Sequence, residues 1–209
     1  MSTRNTSRNV AFAVMLVFLA MLCPLTSFSQ QDHSSTTVQI QTGLGDIIAE
    51  LYPDKAPVTV ANFLRYVDGG FYNGGCFMRT VRLDNEQNPV RIEVIQAVVH
   101  PWKDNNSFPP IALEPTSTTG IHHLDGAISM ARSEPNSATS SFFICIGDQP
   151  ELDFAGKRNP DGQGFAAFGR VIQGMDVVRR IQKSPAEGQA IVPTVGIIRI
   201  TRISQPAQH

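Results

Sequence analysis

Residues 71–81 read FYNGGCFMRTV, a turn-rich opening followed by CFMRTV, a run with the apolar character of a buried strand. Arg79 interrupts this run. Arginine is seldom buried unless it is paired with another group or used in function. Arg79 is therefore the first candidate functional residue of the chain.

The segments around this run alternate between short strand patterns and two helical patterns. Pro57 suits the first turn of a helix whose apolar residues recur at i, i+3, i+4 and i+7, and Gly69-Gly70 end it. A second helix is predicted over 175–183. Strands are predicted over 38–42, 46–51, 76–81, 92–99, 127–131, 142–146, 165–172 and 195–203. Many short strands with two isolated helices indicate an antiparallel barrel with helical caps.

The first 29 residues are expected to form a cleaved secretory signal. Arg4 and Arg8 precede an uncharged apolar run over 10–22, which is shorter than the roughly 20 residues that cross a bilayer. Ser27-Phe28-Ser29 has the small-x-small pattern of a signal-peptidase site. An uncleaved anchor and a lipoprotein modified at Cys23 are the alternatives.

These signals predict the organisation of the whole chain. A flexible, polar leader is expected over 30–37, a single folded domain over 38–204 and a short tail over 205–209. Export would place the mature protein beyond the inner membrane, most simply in the periplasm of a bacterium.

The mature chain carries no excess of positive charge. The full chain has 17 Lys and Arg against 18 Asp and Glu, and removing the signal takes away two arginines, which leaves 15 against 18. Neither nucleic acid nor an anionic membrane is therefore an expected partner. The chain contains no CxxC or HExxH spacing, so no metal and no cofactor are expected.

The histidine pair and the two cysteines of the mature chain are better explained by structural roles than by catalysis or metal binding. His122 and His123 follow a Thr-Thr-Gly turn and are expected to form a pair in a surface loop. Cys76 and Cys145 could form a disulfide in an oxidising compartment, but each lies in an apolar strand pattern, which favours two small buried thiols.

Several segments, in order along the chain, resemble the cyclophilin family of peptidyl-prolyl cis/trans isomerases. They are APVTVANFLRYVDGGFYNG (56–74), CFMRTV (76–81), FPPIALE (108–114), GAISMAR (126–132), NSATSSFFICIG (136–147) and FAAFGRVIQGMDVVRRI (165–181). The resemblance covers nearly the whole mature chain. It implies a mainly β fold, an eight-stranded antiparallel closed β-barrel capped by two α-helices, in a divergent, secreted bacterial member.

The resemblance also implies an activity, the rotation of X-Pro bonds in folding secreted or envelope proteins. This rotation crosses a barrier of about 18–20 kcal/mol and takes tens to hundreds of seconds without catalysis. It needs no covalent chemistry and no cofactor. The implied partners are proline-containing polypeptides, unfolded or partly folded, and we expect a monomer.

Site residues can be carried over position by position. The resemblance implies that Arg79 is the catalytic arginine, that Phe143 forms the floor of the proline pocket and that Gln96 binds the substrate backbone. The other substrate-binding positions that it implies are Glu93, Val94, Ala131, Arg132, Ser141, Leu152 and Phe165.

Some of these positions depart from the family pattern. Glu93 stands where the family has a pocket phenylalanine, and Ser141 stands where it has a glutamine. The segment RLDNEQNP (82–89) looks inserted. Glu93 would either pair with Arg79 or point to solvent, and the sequence leaves both open. If these changes have cost catalysis, the alternative is a catalytically weakened module that binds proline-containing segments as a chaperone or scaffold.

Overall fold

The computed structural model describes residues 36–104 and 108–204. The expected secretory signal, most of the leader and the C-terminal tail lie outside the described residues. None of the described helices has the length and hydropathy needed to cross a membrane.

Eight strands of one antiparallel sheet close into a barrel, which confirms the predicted fold. Around the barrel the order is β1-β2-β7-β5-β6-β4-β3-β9, and β1 pairs in turn with β9 to close it. The two-residue strand β8 forms a hairpin with β9. The strands are β1 (Thr36–Thr42), β2 (Gly45–Leu51), β3 (Cys76–Val81), β4 (Val94–Val98), β5 (Ala127–Met130), β6 (Phe142–Cys145), β7 (Ala166–Gln173), β8 (Ala186–Glu187) and β9 (Ala190–Ile203).

The two predicted helices are present, and short helical turns lie between the strands. Helix α1 (Pro57–Asp68) has its proline in the first turn and ends where the Gly69 N–H donates to the carbonyl of Arg65. Helix α4 (Met175–Gln182) follows β7 directly. The short elements are α2 (Pro101–Asp104), α3 (Thr116–Thr119) and a 3₁₀ turn (Pro150–Leu152).

The interior of the barrel is an aromatic and aliphatic core capped by α1. Phe63 of α1 packs against Tyr72, Phe142 and Phe168 with ring centroids 5.1–5.4 Å apart. All four rings are fully buried, and burying a large apolar side chain stabilises the fold by about 1.5–3 kcal/mol.

A second, smaller apolar cluster lies on the opposite face of the same strands. Side chains alternate along a strand, so Ile95 and Phe142 point into the barrel while Val94 and Phe143 belong to the second cluster. The second cluster also takes in the partly buried Phe165. It forms the base of the candidate site.

Candidate active site

One cavity of about 240 Å³ brings together most of the predicted site residues. It lies over the second apolar cluster, on the outer face of the barrel. Eight of the ten predicted residues line it, namely Arg79, Val94, Gln96, Ala131, Arg132, Phe143, Leu152 and Phe165. Glu93 and Ser141 do not.

A β-bulge explains how Arg79 comes to lie in an apolar strand. In an unbroken strand, Arg79 would share the face of Phe77, which is fully buried inside the barrel. The pairing of β3 with β4 shifts register between Phe77 and Arg79, and the extra residue turns Arg79 to the outer face. There Arg79 pairs across the sheet with Gln96, and Gln96 pairs with Phe143. Three consecutive strands thus present the three expected catalytic side chains side by side.

The guanidinium of Arg79 is held by two neutral amides. Nη1 donates to Oε1 of Gln96 at 3.2 Å, while Nε and Nη2 donate to Oε1 of Gln189 at 2.9 and 2.6 Å. Burial, and then the positive charge of Arg158, lower the pKa of Arg79 from its ordinary value. Arginine remains protonated at neutral pH even so, and neither amide neutralises its charge.

Ser141 acts behind the cavity rather than in it. Its hydroxyl donates to the carbonyl of Ala97 at 3.0 Å, so its oxygen is free to accept from Nε2 of Gln96, also at 3.0 Å. This leaves the Gln96 carbonyl oxygen facing Arg79. Ser141 is therefore placed to orient the glutamine that faces the cavity, and its expected contact with substrate stays a prediction.

Phe143 is supported by a ring on each of two sides. Phe165 meets it edge-on at 5.3 Å, and the imidazole of His123 stacks against it at 6.0 Å, tilted by 15°. The expectation that His122 and His123 form a surface pair is wrong for His123, which is 1 % exposed. Only His122 faces solvent.

His123 belongs to a buried Ser-His-Asp arrangement. Its Nδ1 lies 2.6 Å from Oδ1 of Asp153, and its Nε2 lies 3.0 Å from the hydroxyl of Ser129. Because a carboxylate can only accept, Nδ1 carries the proton. Ser129 and His123 are both buried and line none of the described cavities, so the arrangement braces Phe143 and does not serve as a nucleophile.

This arrangement lowers the pKa values of both His123 and Asp153, for different reasons. Burial lowers the pKa of His123 below 6.5 despite the neighbouring carboxylate of Asp153. For Asp153, burial acts to raise the pKa, but the hydrogen bonds from His123 and His122 outweigh it and lower the pKa to about 2. The pair is therefore a neutral imidazole beside an ionised carboxylate at neutral pH.

Arg132 lines the cavity with its charge already compensated. Two of its nitrogens each lie 2.8 Å from the carboxylate of Asp161, and Nε donates to the carbonyl of Gly164 at 2.8 Å. The guanidinium lies 5.3 Å from the ring centroid of Phe165. Arg132 thus supports the wall that Phe165 forms.

The structure places Glu93 outside the cavity. Its carboxylate accepts a hydrogen bond from Nε2 of Gln182 in α4 at 2.9 Å, and its N–H donates to Gln149 at 3.1 Å. The carboxylate is thus turned towards α4 and does not pair with Arg79, while Glu93 stays partly exposed. Ile92 and Val94 line the cavity on either side of Glu93, because alternate residues share a face.

Sequence reasoning missed three polar residues at the site. Gln189 lies in the turn between β8 and β9, and Arg158 and Asn159 lie in the loop that joins the 3₁₀ turn to β7. Nη1 of Arg158 lies 2.8 Å from Oε2 of Glu86 and 2.7 Å from the carbonyl of Val90, so the inserted segment reaches the cavity through it. Loop residues of this kind carry no periodic signal.

The remaining candidates take no part in the site. Cys76 and Cys145 are free thiols; Cys145 is buried, as the favoured interpretation has it, whereas Cys76 is only partly buried. Burial raises the pKa of Cys145 above its ordinary range. Within 36–104 and 108–204, no cluster of histidine, cysteine or acidic residues is arranged to hold a metal ion.

Comparison with known proteins agrees with this geometry. A family profile described as "Cyclophilin type peptidyl-prolyl cis-trans isomerase/CLD" matches residues 37–203. Peptidyl-prolyl cis-trans isomerase A of Dickeya dadantii is 37% identical over 176 residues, which cover 83% of this chain and 86% of that protein. Peptidyl-prolyl cis-trans isomerase B of Escherichia coli is 37% identical over 155 residues, which cover 73% and 87%.

A solved structure shows the same fold at lower identity. The crystal structure of a cyclophilin type peptidyl-prolyl cis-trans isomerase from Cryptosporidium parvum aligns with a TM-score of 0.66 at 21% identity, over 82% of this chain and 99% of that chain. The family profile and the bacterial relatives add similarity of sequence to this similarity of fold. This chain belongs to the cyclophilin-type peptidyl-prolyl cis-trans isomerase family.

Proposed function

We propose that this isomerase acts on proline-containing polypeptides that fold after export from the cytoplasm. The observation that carries the isomerase function is the shared cavity of Arg79 and Phe143, in which an uncompensated cation faces an aromatic floor. The proposal of exported clients rests on the signal-like pattern of the first 29 residues.

The aromatic floor offers a place for the proline ring. Phe143, Phe165 and Leu152 supply an apolar surface over the second cluster of the barrel. A prolyl ring placed there is shielded from water, whereas the rest of the peptide remains at the polar rim. This fixes the axis about which the X-Pro bond turns.

Arg79 has the donors that the twisted bond requires. A guanidinium carries five N–H groups, and three of them are engaged by Gln96 and Gln189, which leaves two for substrate. In the planar amide, the prolyl nitrogen shares its lone pair with the carbonyl. In the twisted state the lone pair returns to nitrogen, which then accepts a hydrogen bond that the planar amide cannot. A donor matched to the twisted state lowers the barrier without any covalent step.

Gln96 completes the polar side of the cavity. Its amide orientation is fixed by Ser141 and Arg79, so its position is set before substrate arrives. Preorganised dipoles of this kind cost no reorganisation during the reaction.

A related structure is consistent with a prolyl substrate. The Cryptosporidium parvum isomerase has also been crystallised in the presence of the dipeptide Ala-Pro, and that structure aligns with a TM-score of 0.65. The catalytically weakened module, the alternative from the sequence, rested on Glu93 and Ser141 having cost catalysis. Neither residue lines the cavity, so neither obstructs the proline pocket.

NMR exchange spectroscopy on an Ala-Pro peptide tests the isomerase function. Wild type is expected to broaden the cis and trans resonances, and Arg79→Ala is expected to lose about 100-fold or more of the exchange rate. Arg199→Ala, at an exposed arginine of β9 outside the cavity, is the matched control and should behave as wild type. Absence of catalysis by wild type would overturn the proposal.

Export is tested separately. The full chain expressed in a bacterium with two membranes is expected to appear in the periplasmic fraction with a mature N-terminus at Gln30. Retention in the cytoplasm with an intact N-terminus would contradict the proposed clients and leave the isomerase function untouched.

A further inference from the structure

Three arginines line the candidate cavity, and none of the acidic residues that the structure describes does so. The arginines are Arg79, Arg132 and Arg158. Arg79 is held by neutral amides and keeps its charge. The other two are paired with carboxylates, those of Asp161 and Glu86, which lie outside the cavity lining. Each of these ion pairs therefore presents its positive end to the cavity.

Arg158 has donors to spare, whereas Arg132 has all three of its nitrogens engaged. Nη1 of Arg158 donates to the carbonyl of Val90 at 2.7 Å and lies 2.8 Å from Oε2 of Glu86. Nε and Nη2 find no acceptor among the described residues, yet neither is one of their fully buried, unpaired polar atoms. Both nitrogens therefore keep surface that a ligand can reach.

The free edge of Arg158 has the shape that a carboxylate requires. Nε and Nη2 lie along one side of the planar guanidinium with nearly parallel N–H bonds, which match the two oxygens of a carboxylate. Glu86, whose side chain is 2 % exposed, and the carbonyl of Val90 hold Nη1. This anchoring keeps the free edge in place before substrate arrives.

A second cation lies within electrostatic range of Arg158. Burial and the positive charge of Arg158 both lower the pKa of Arg79, so the two guanidiniums act on the same region of the cavity. Arg79 also keeps two N–H groups free of Gln96 and Gln189. An anion in this cavity gains attraction from both arginines, whereas an ammonium group is repelled by both.

We propose that Arg158 is a specificity-determining residue that binds the carboxylate of an aspartate or glutamate next to the proline of the substrate. This inference rests on the proposed isomerase function, because it names the substrate class of the same cavity. Glu86 is a positioning residue, which holds Nη1 and needs no contact with substrate. Arg158 selects among prolyl sequences and takes no part in the rotation itself.

Peptides with blocked ends test the preference, because no terminal carboxylate then contributes. Glutamate, glutamine or lysine is placed directly before or directly after the proline, and binding is followed by NMR titration. At one of the two positions, wild type is expected to bind the glutamate peptide about 5- to 10-fold more tightly than the glutamine peptide, and the lysine peptide more weakly. Raising the salt concentration from about 0.02 M to about 0.5 M should reduce this ratio. Equal binding of the glutamate and glutamine peptides at both positions would overturn the proposal.

A double variant separates the contribution of Arg158 from that of Arg79. Arg158→Gln alone would leave Glu86 buried without its counter-ion, so it is combined with Glu86→Gln, which restores a neutral pair. This double variant is expected to bind the glutamate and glutamine peptides about equally. A general loss of structure would weaken both peptides alike and leave their ratio unchanged. A wild-type ratio in the double variant would assign the preference to Arg79 and overturn the proposal.

Arg170→Gln is the matched control, at an arginine of β7 that is 62 % exposed and lies outside the cavity lining. It should keep the wild-type ratio, and loss of the ratio in this variant would contradict a preference that arises in the cavity. Titration also separates this inference from the isomerase function. A glutamate preference without catalysed exchange would leave the specificity standing and the isomerase function refuted. Catalysed exchange on Ala-Pro without a glutamate preference would overturn the role of Arg158 alone.

Discussion

The side-chain oxygen of Gln189 accepts two hydrogen bonds from Arg79, one from Nε at 2.9 Å and one from Nη2 at 2.6 Å. With Gln96 on Nη1, this fixes the plane of the guanidinium by three bonds. A carboxylate in place of Gln189 would hold Arg79 as firmly but would cancel its charge. The amide keeps the arginine both oriented and cationic, and a residue 110 positions away in the sequence supplies it.

Gln189 should therefore matter to catalysis without touching the substrate. Gln189→Leu is expected to lower kcat by about tenfold with little change in KM, because it frees the guanidinium to leave its catalytic orientation. Gln189→Glu should also lower kcat, because the carboxylate neutralises the cation. NMR exchange at several peptide concentrations separates kcat from KM. Unchanged kcat in both variants would contradict the positioning role.

Replacing Glu93 by phenylalanine, the residue that the family has in its pocket, should not improve this enzyme. Glu93 accepts from Gln182, which is 6 % exposed, so Glu93→Phe leaves a buried amide unpaired. We expect a loss of about 1–3 kcal/mol in the free energy of unfolding and no gain in exchange rate. Urea unfolding and NMR exchange measure the two effects. A large gain in catalysis would show that residue 93 can enter the cavity.

The fold could be predicted because its signals are local. Pro57 and Gly69 mark the ends of α1, and alternation marks the strands to within a few residues. Arg79, Gln96 and Phe143 could be placed together because they lie on strands with recognisable neighbours. Even so, the bulge that turns Arg79 outwards is a property of strand pairing and has no sequence signal of its own.

The errors arose where long-range contacts decide the outcome. Glu93 precedes β4, and its side chain is directed towards α4 because its carboxylate accepts a hydrogen bond from Gln182, far along the chain. His123 is buried because Asp153 and Ser129 satisfy both of its nitrogens, which a Thr-Thr-Gly turn does not reveal. Gln189 and Asn159 reach the site from loops, where residue order carries little geometric information.

Removing one partner of the ion pair between Glu86 and Arg158 should strongly destabilise the fold. Both side chains are largely buried, 2 % and 12 % exposed, so Glu86→Leu leaves a buried cation without its counter-ion. We expect a loss of about 3–5 kcal/mol in the free energy of unfolding. Asp84→Asn is the matched control from the same segment. It breaks the ion pair of Asp84, which is 73 % exposed, with Arg82, and should cost about 1 kcal/mol or less. Equal effects of the two variants would contradict the prediction.

Acid should destabilise the protein in two steps set by His123 and Asp153. The folded state holds His123 neutral because burial lowers its pKa, whereas the unfolded chain takes up a proton below about pH 6.5. The contribution of His123 is therefore fully present above pH 6.5 and is lost as the pH falls below that value. Asp153 has its pKa lowered from 3.8 to about 2, so its contribution is lost at lower pH, between about 4 and 2.

Variants separate these steps from the titration of other groups. Urea unfolding of His123→Gln between pH 8 and 4.5 is expected to show a lower free energy of unfolding and a weaker dependence on pH below 6.5 than wild type. His122→Gln is the matched control, because that imidazole is 60 % exposed and bonds to the other oxygen of Asp153. It leaves the buried imidazole of His123 and its bond to Oδ1 of Asp153 in place, so the loss of stability below pH 6.5 should persist. His123→Gln and wild type could instead lose unfolding free energy in parallel as the pH falls from 6.5. The buried neutral imidazole behind Phe143 would then be excluded as the cause of the acid destabilisation.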